Sequence, residues 1–144
     1  MKLLLTGFEP FGGSEVNPSE EVVKALSKHS FSAVELHTTI LPVDKEAGPA
    51  KLIQNFEETR PEAVVCLGEA GGRMVICIER IAINLMDYRI KDNAGNLIKN
   101  QPIVLDGSAA FFCTLPVQAI VEGLKEAGVP TRLSLSAGAF LCIR

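Results

Sequence analysis

Ala63-Val64-Val65-Cys66-Leu67-Gly68-Glu69-Ala70-Gly71-Gly72-Arg73 is the stretch on which the fold turns. Its first five residues are a continuous apolar run, closed by glycine. That is the pattern of a strand covered on both faces, as a central parallel strand is. The rest is a glycine-rich loop at that strand's C-terminal end, where open α/β sheets place their active sites.

Working back towards the N-terminus, Lys2 to Thr6 reads as a buried first strand. Gly7-Phe8-Glu9-Pro10-Phe11-Gly12-Gly13 follows, a loop with two aromatic rings beside three glycines. Phe8 and Phe11 read either as an apolar pocket wall or lid, or as a plug for the end of the core. The glycines match neither a phosphate loop nor a dinucleotide fingerprint. Asn17-Pro18-Ser19-Glu20 is a helix start: Asn17 caps, Pro18 suits the first helical position and Glu20 stands at the capping-box position. Val22, Val23 and Leu26 give the helix its buried stripe to about His29. A second strand is expected over Val34 to Val43, then a helix capped by Asp44 with Leu52, Ile53 and Phe56 facing inward. Pro49 fits the start of that helix better than its interior.

Working forward, Met74 to Leu85 alternates as a strand, and one parity holds Val75, Cys77, Glu79, Ile81, Ile83 and Leu85. Glu79 is the only charge in that row. A carboxylate there needs a partner or must stay protonated, so Glu79 is either functional or paired with a nearby arginine. Asp87 to Gly107 reads as an excursion with turn chemistry at Asp92-Asn93-Ala94-Gly95-Asn96, a return strand at Pro102-Ile103-Val104, and Arg89 as a cation at its base. Val117, Ile120, Val121 and Leu124 keep helical spacing, stopped by Gly128 and Pro130. Arg132 to Ser136 reads as a last strand, and Ala137-Gly138-Ala139 as a tight turn before Cys142. A thiol just past a strand-to-helix turn is favoured as thiolate by helical N–H groups. The expected order is β-α-β-α-β-β-hairpin-α-β, one α/β domain over residues 1–144 with a largely parallel or mixed sheet.

Composition narrows the function. The chain is 47% apolar, enough for a real core in 144 residues, and its net charge of -3 has no long run of either sign. This argues against nucleic acid or an anionic membrane as partner. With no signal peptide and no membrane-length apolar run, a cytoplasmic location is expected. Cys66, Cys77, Cys113 and Cys142 show no metal spacing, so free thiols are expected, with Cys66 and Cys77 as small buried hydrophobes. A cysteine nucleophile needs a base, most often histidine. The two histidines, His29 and His37, carry no motif context and read as surface and strand-filling residues.

Taken together, several ordered segments resemble the pyroglutamyl peptidase (pyrrolidone-carboxylate peptidase) family of cysteine peptidases. They are Leu5–Gly13, Asn17-Pro18, Leu41-Pro42-Val43, Gly68–Arg73, Glu79–Asn84, Asp87–Asn93, Pro102-Ile103-Val104 and Ser136–Cys142. The resemblance implies a three-layer α/β/α sandwich with a mixed, largely parallel central sheet, C-terminally shortened here. It implies removal of N-terminal pyroglutamyl residues from peptides, with no metal or cofactor and with a homo-oligomer, tetramer or dimer, as the assembly. By resemblance Cys142 is the nucleophile and Glu79 the catalytic acid. Phe8 and Phe11 match the loop that holds the lactam ring, and Asn17 a position near that pocket. Glu69 and Arg89 match positions near the reacting carbonyl, where Arg89 would help stabilise an oxyanion. The chain departs from the family pattern in having Ile143 after the cysteine and an unusually apolar Met74–Ile78. It also has no residue matching the family histidine, which lies beyond the cysteine. The expectation is therefore little activity for these 144 residues alone. A catalytically inactive product that self-associates or binds a partner is the alternative.

Overall fold

The computed structural model describes residues 1–141. In chain order the elements are β1 (Lys2–Phe8), α1 (Pro18–Leu26), β2 (Glu35–Leu41), α2 (Ala47–Thr59), β3 (Ala63–Cys66), β4 (Ile76–Ile83), β5 (Ala110–Phe112), α3 (Val117–Glu126) and β6 (Thr131–Ser136). The class is α/β, and of the four strand pairings described three are parallel and one antiparallel. The chain forms two compact units. One comprises Met1–Glu69 and Arg89–Leu97; the other comprises Ala70–Tyr88 and the chain from Ile98 onward.

The first unit is built on a parallel sheet in the order β2-β1-β3. The central strand is thus β1, not the apolar run Ala63–Cys66, which pairs only with β1 among the described strands. An uninterrupted apolar run reports cover on both faces and says nothing about rank in the strand order. Leu4, Leu5, Leu41 and Val43 form the buried centre with Val23 of α1. Helix α1 starts as its sequence requires: Asn17 is extended at φ -115°, and the Ser19 N–H donates to Asn17 Oδ1 at 2.9 Å. Glu20 instead pairs with Lys24 at 3.0 Å. The start of α1 lies hard against β1, because a Cβ on Gly7 would stand 2.5 Å from the Ser19 carbonyl oxygen. Of the expected stripe, Val23 is buried but Val22 is exposed.

Asp44 accepts from the Glu46 and Ala47 N–H groups, both at 2.7 Å, and so holds the turn that opens α2. Pro49 falls in the first turn of that helix, where its missing N–H costs nothing. Ile53 and Phe56 are exposed rather than inward, so the expected buried face of α2 is corrected to a shallower one.

The second unit is a mixed sheet in the order β5-β4-β6, with α3 packed on β6 and β4. Val121 is the most buried residue of the α3 stripe. The helix ends in a Schellman arrangement. Gly128 (φ +75°) donates to Lys125 O at 2.9 Å and Val129 to Leu124 O at 2.9 Å. The return strand expected at Pro102–Val104 does not form. Met86 and Gln101 make a single antiparallel bridge, and the Asn84 side chain takes over the Val104 backbone, accepting from its N–H and donating to its carbonyl at 2.8 Å each. A side-chain amide there satisfies the backbone groups that a ladder would otherwise pair. The strand antiparallel to β4 is instead β5.

Candidate active site

In the second unit, β4 and β6 run parallel with Glu79 opposite Ser134 and Ile81 opposite Ser136. The strand that leads towards Cys142 therefore lies beside the strand that carries the lone carboxylate. After β6 the chain turns at Gly138 (φ +100°), whose N–H donates to Ser136 Oγ at 3.1 Å, and the Asp87 N–H fixes Ala139 O at 2.9 Å. Phe140 meets the buried ring of Tyr88 edge-on, centroids 4.9 Å apart. These contacts set the course of the chain up to Leu141. Cys142 itself, like Ile143, lies outside the described residues.

The Glu79 side chain is only 16% exposed, and its Oε1 stands 3.4 Å from Arg73 Nη1. Its Oε2 is buried without a hydrogen-bond partner among the described residues. The arginine pairing anticipated as the plain explanation is thus present, yet it occupies one oxygen and leaves the other open. An unsatisfied buried acceptor is costly unless something is meant to meet it. A carboxylate in that state is suited to orient and stabilise a protonated base. The sequence anticipated a nearby arginine without naming Arg73, which stands six residues before Glu79 in the turn closed by the Arg73 N–H to Ala70 O bond at 3.2 Å.

In the first unit, Phe8 ends β1 and is buried, while Phe11 is half-buried in the loop that follows. Asn17 is completely buried and its side chain is engaged: Oδ1 accepts from the Ser19 N–H and, at 2.8 Å, from Ser19 Oγ, while Nδ2 donates to Glu9 O at 3.0 Å. Ser19 Oγ in turn accepts from the Phe8 N–H at 2.9 Å. Asn17 therefore ties the end of β1 and the Phe loop to the start of α1. Glu69, near the start of the loop after β3, has a buried Oε2 with no hydrogen-bond partner among the described residues. Arg89 is exposed and makes no ion pair among them. Phe8, Phe11, Asn17, Glu69 and Arg89 belong to the first unit and Glu79 to the second.

Both histidines are engaged locally at the surface, His29 Nδ1 with Ala25 O and His37 Nε2 with Glu35 Oε1, each at 2.9 Å. Cys66 is exposed at the end of β3 and not a buried hydrophobe. The protein mass around its sulfur still pushes its thiol pKa up, so it is held as a neutral thiol. Among the described residues no group of three His, Cys, Asp or Glu side chains could hold a metal ion, and no helix is long and apolar enough to cross a membrane.

The family described as pyroglutamyl peptidase matches residues 1–144. The chain belongs to the pyroglutamyl peptidase family. It is 48% identical over 141 residues to the pyrrolidone-carboxylate peptidase of Vibrio vulnificus (strain CMCP6), covering 98% of this chain and 66% of that protein. With the Bacillus cereus (strain AH820) pyrrolidone-carboxylate peptidase the identity is 44% over 140 residues, covering 97% and 65%. The crystal structure of Bacillus amyloliquefaciens pyroglutamyl peptidase I superposes with a TM-score of 0.94 at 42% identity, covering 98% of this chain and 68% of that one. Pyrrolidone carboxyl peptidase from Thermococcus litoralis does so at 0.94 and 40%, covering 98% and 64%. The chain thus spans a little under two-thirds of the length of the curated relatives it matches.

Proposed function

We propose that residues 1–144 form the larger part of a single peptidase domain that removes N-terminal pyroglutamyl (5-oxoproline) residues from peptides. Cys142 is the nucleophile and Glu79 the carboxylate that orients the base. Phe8, Phe11 and Asn17 serve the pocket for the lactam ring, and Glu69 and Arg89 the reacting carbonyl. The thiolate attacks the pyroglutamyl carbonyl carbon, forming a C–S bond. The C–N bond breaks as the base passes its proton to the leaving amine, and water then hydrolyses the thioester. The lactam carries no free amine, so a small apolar pocket with few polar groups suits it. No metal or cofactor enters this scheme, and the enzyme is read as a cytoplasmic homo-oligomer, tetramer or dimer, with no nucleic-acid or membrane partner. The observation that carries the reading is the open, buried Glu79 oxygen on the strand beside β6, in a chain of this family.

Neither His29 nor His37 supports a role as the base, since each is bound locally at the surface. In this reading the base is a histidine supplied from outside these 144 residues. A missing base typically costs roughly 10²–10⁴-fold in rate. The test is hydrolysis of a chromogenic pyroglutamyl amide under reducing conditions, by 1–144 alone and with an added C-terminal segment of a relative. Hydrolysis that requires the segment and disappears in Cys142→Ser is expected. Hydrolysis that survives Cys142→Ser, or none from a folded sample in either case, would overturn the reading.

A second reading rests on the second unit's exposed apolar side chains. Met74, Leu105, Phe112 and Leu135 are 94%, 82%, 72% and 69% exposed. Apolar surface of this kind favours association, so an inactive chain that self-associates or binds a partner is the alternative.

A further inference from the structure

The segment Arg89–Leu97 is held in the first unit by a compact set of hydrogen bonds that the proposed chemistry does not use. Glu9, in the loop between Phe8 and Phe11, is at its centre. Its Oε1 accepts from Asn93 Nδ2 at 2.8 Å and from the Val43 N–H at 2.9 Å. Asn93 Nδ2 also donates to Pro10 O at 2.9 Å, and the Asn93 N–H donates to Val43 O at 2.8 Å. Two residues before Val43, at the end of β2, Leu41 O accepts from the Glu9 N–H at 3.0 Å. Three stretches therefore converge on one carboxylate and one amide: the Phe loop, the exit from β2, and the segment that begins with Arg89.

The far end of the clasp is independently rigid. Asp92 is buried, and its carboxylate accepts from Asn96 N–H at 2.8 Å, from Asn96 Nδ2 and from the Lys45 N–H at 3.1 Å. The near end is close-packed: a Cβ on Gly12, which has φ +63°, would stand 3.2 Å from Ile90 Cδ1. Beyond Phe8, where β1 ends, the stretch Glu9–Gly13 has a proline and two glycines and no ladder of its own to fix it. Its shape must come from such side-chain bonds.

We propose that Glu9 and Asn93 are positioning residues, a clasp that sets the Phe8–Phe11 loop against the segment carrying Arg89. The assignment of that loop to substrate binding rests on the proposed function; the clasp itself does not. It is read without substrate by backbone amide hydrogen exchange in the 1–144 chain. Glu9→Ala and Asn93→Ala should each raise exchange about tenfold or more in residues 8–13 and 89–97 while residues 2–6 of β1 stay protected. Glu9→Gln should stay near the unmodified chain, because the glutamine oxygen can accept the same N–H groups. Unchanged exchange in 8–13 for Asn93→Ala, a substitution at an exposed residue, would overturn the proposal. So would Glu9→Gln loosening the loop as much as Glu9→Ala.

A second readout links the clasp to the site. In the segment-complemented enzyme, Asn93→Ala should raise KM for the pyroglutamyl amide several-fold with kcat little changed, which general destabilisation would not do. Loosening of the loop in a chain that cleaves no pyroglutamyl amide under any condition would leave the clasp standing and remove the proposed function.

Discussion

At the scale of single residues, Glu79 is the most informative side chain. Sequence alternation isolates it as the one charge in an apolar row, and the structure finds it paired through one oxygen and open at the other. Glu79→Gln keeps the shape and removes the charge. In the segment-complemented enzyme it should lower kcat on the order of 10²–10⁴-fold with KM nearly unchanged. Asp92 gives a pH prediction. Desolvation tends to raise its pKa, but the bonds from Asn96 and the Lys45 N–H outweigh this and hold it below the ordinary carboxylate range. Its contribution to stability is therefore complete above the ordinary carboxylate value. It is lost as pH falls through the lower, folded value. Amide protection in residues 89–97, relative to the intrinsic exchange rate at each pH, should fall on acidification below about pH 4, and Asp92→Ala should show that loss of protection already at neutral pH. Neither Asp92 nor Glu9 stood out in the sequence as an anchor. Asp92 read as turn chemistry, and the partners of Glu9 lie 34 and 84 residues away, which no local pattern reveals.

At the scale of elements, local chemistry was legible wherever it was self-contained. The Asn17-Pro18 start of α1 and the Gly128 stop of α3 follow from caps that act within a few residues. Asn17→Ala should destabilise the chain by about 1–2 kcal/mol in urea unfolding, at the upper end of cap losses, because the amide also anchors Glu9 O. Gly7→Ala should cost more than a surface glycine change, about 1–3 kcal/mol, because its methyl group would overlap the Ser19 carbonyl. Strand rank and helix facing were less legible. Whether Ala63–Cys66 is central, and whether Ile53 and Phe56 turn inward, depends on which elements arrive beside them. The return strand at Pro102–Val104 failed for the same reason, since the Asn84 amide claimed its backbone.

At the scale of the molecule, the path of the chain between its two compact units was not legible in the sequence. The chain leaves the first unit after Glu69, returns for Arg89–Leu97 and leaves again. What read as a single excursion from Asp87 to Gly107 is split between them, because its middle is fixed by Glu9, Val43 and Lys45. The second unit's exposed Leu105 and Phe112 predict concentration-dependent self-association of 1–144 in sedimentation velocity. The double substitution Leu105→Ser with Phe112→Ser should shift the population towards monomer without altering the α/β circular dichroism.

The central claim is that Cys142 is the nucleophile served by a pyroglutamyl pocket, and covalent capture tests it without requiring the base. A pyroglutamyl chloromethyl ketone forms a C–S bond to a thiolate as chloride leaves, and intact and peptide mass spectrometry locate the adduct. The account predicts one adduct, on Cys142, slowed by excess pyroglutamyl amide. An adduct spread over the exposed Cys66 and Cys113, indifferent to that competitor, would contradict it.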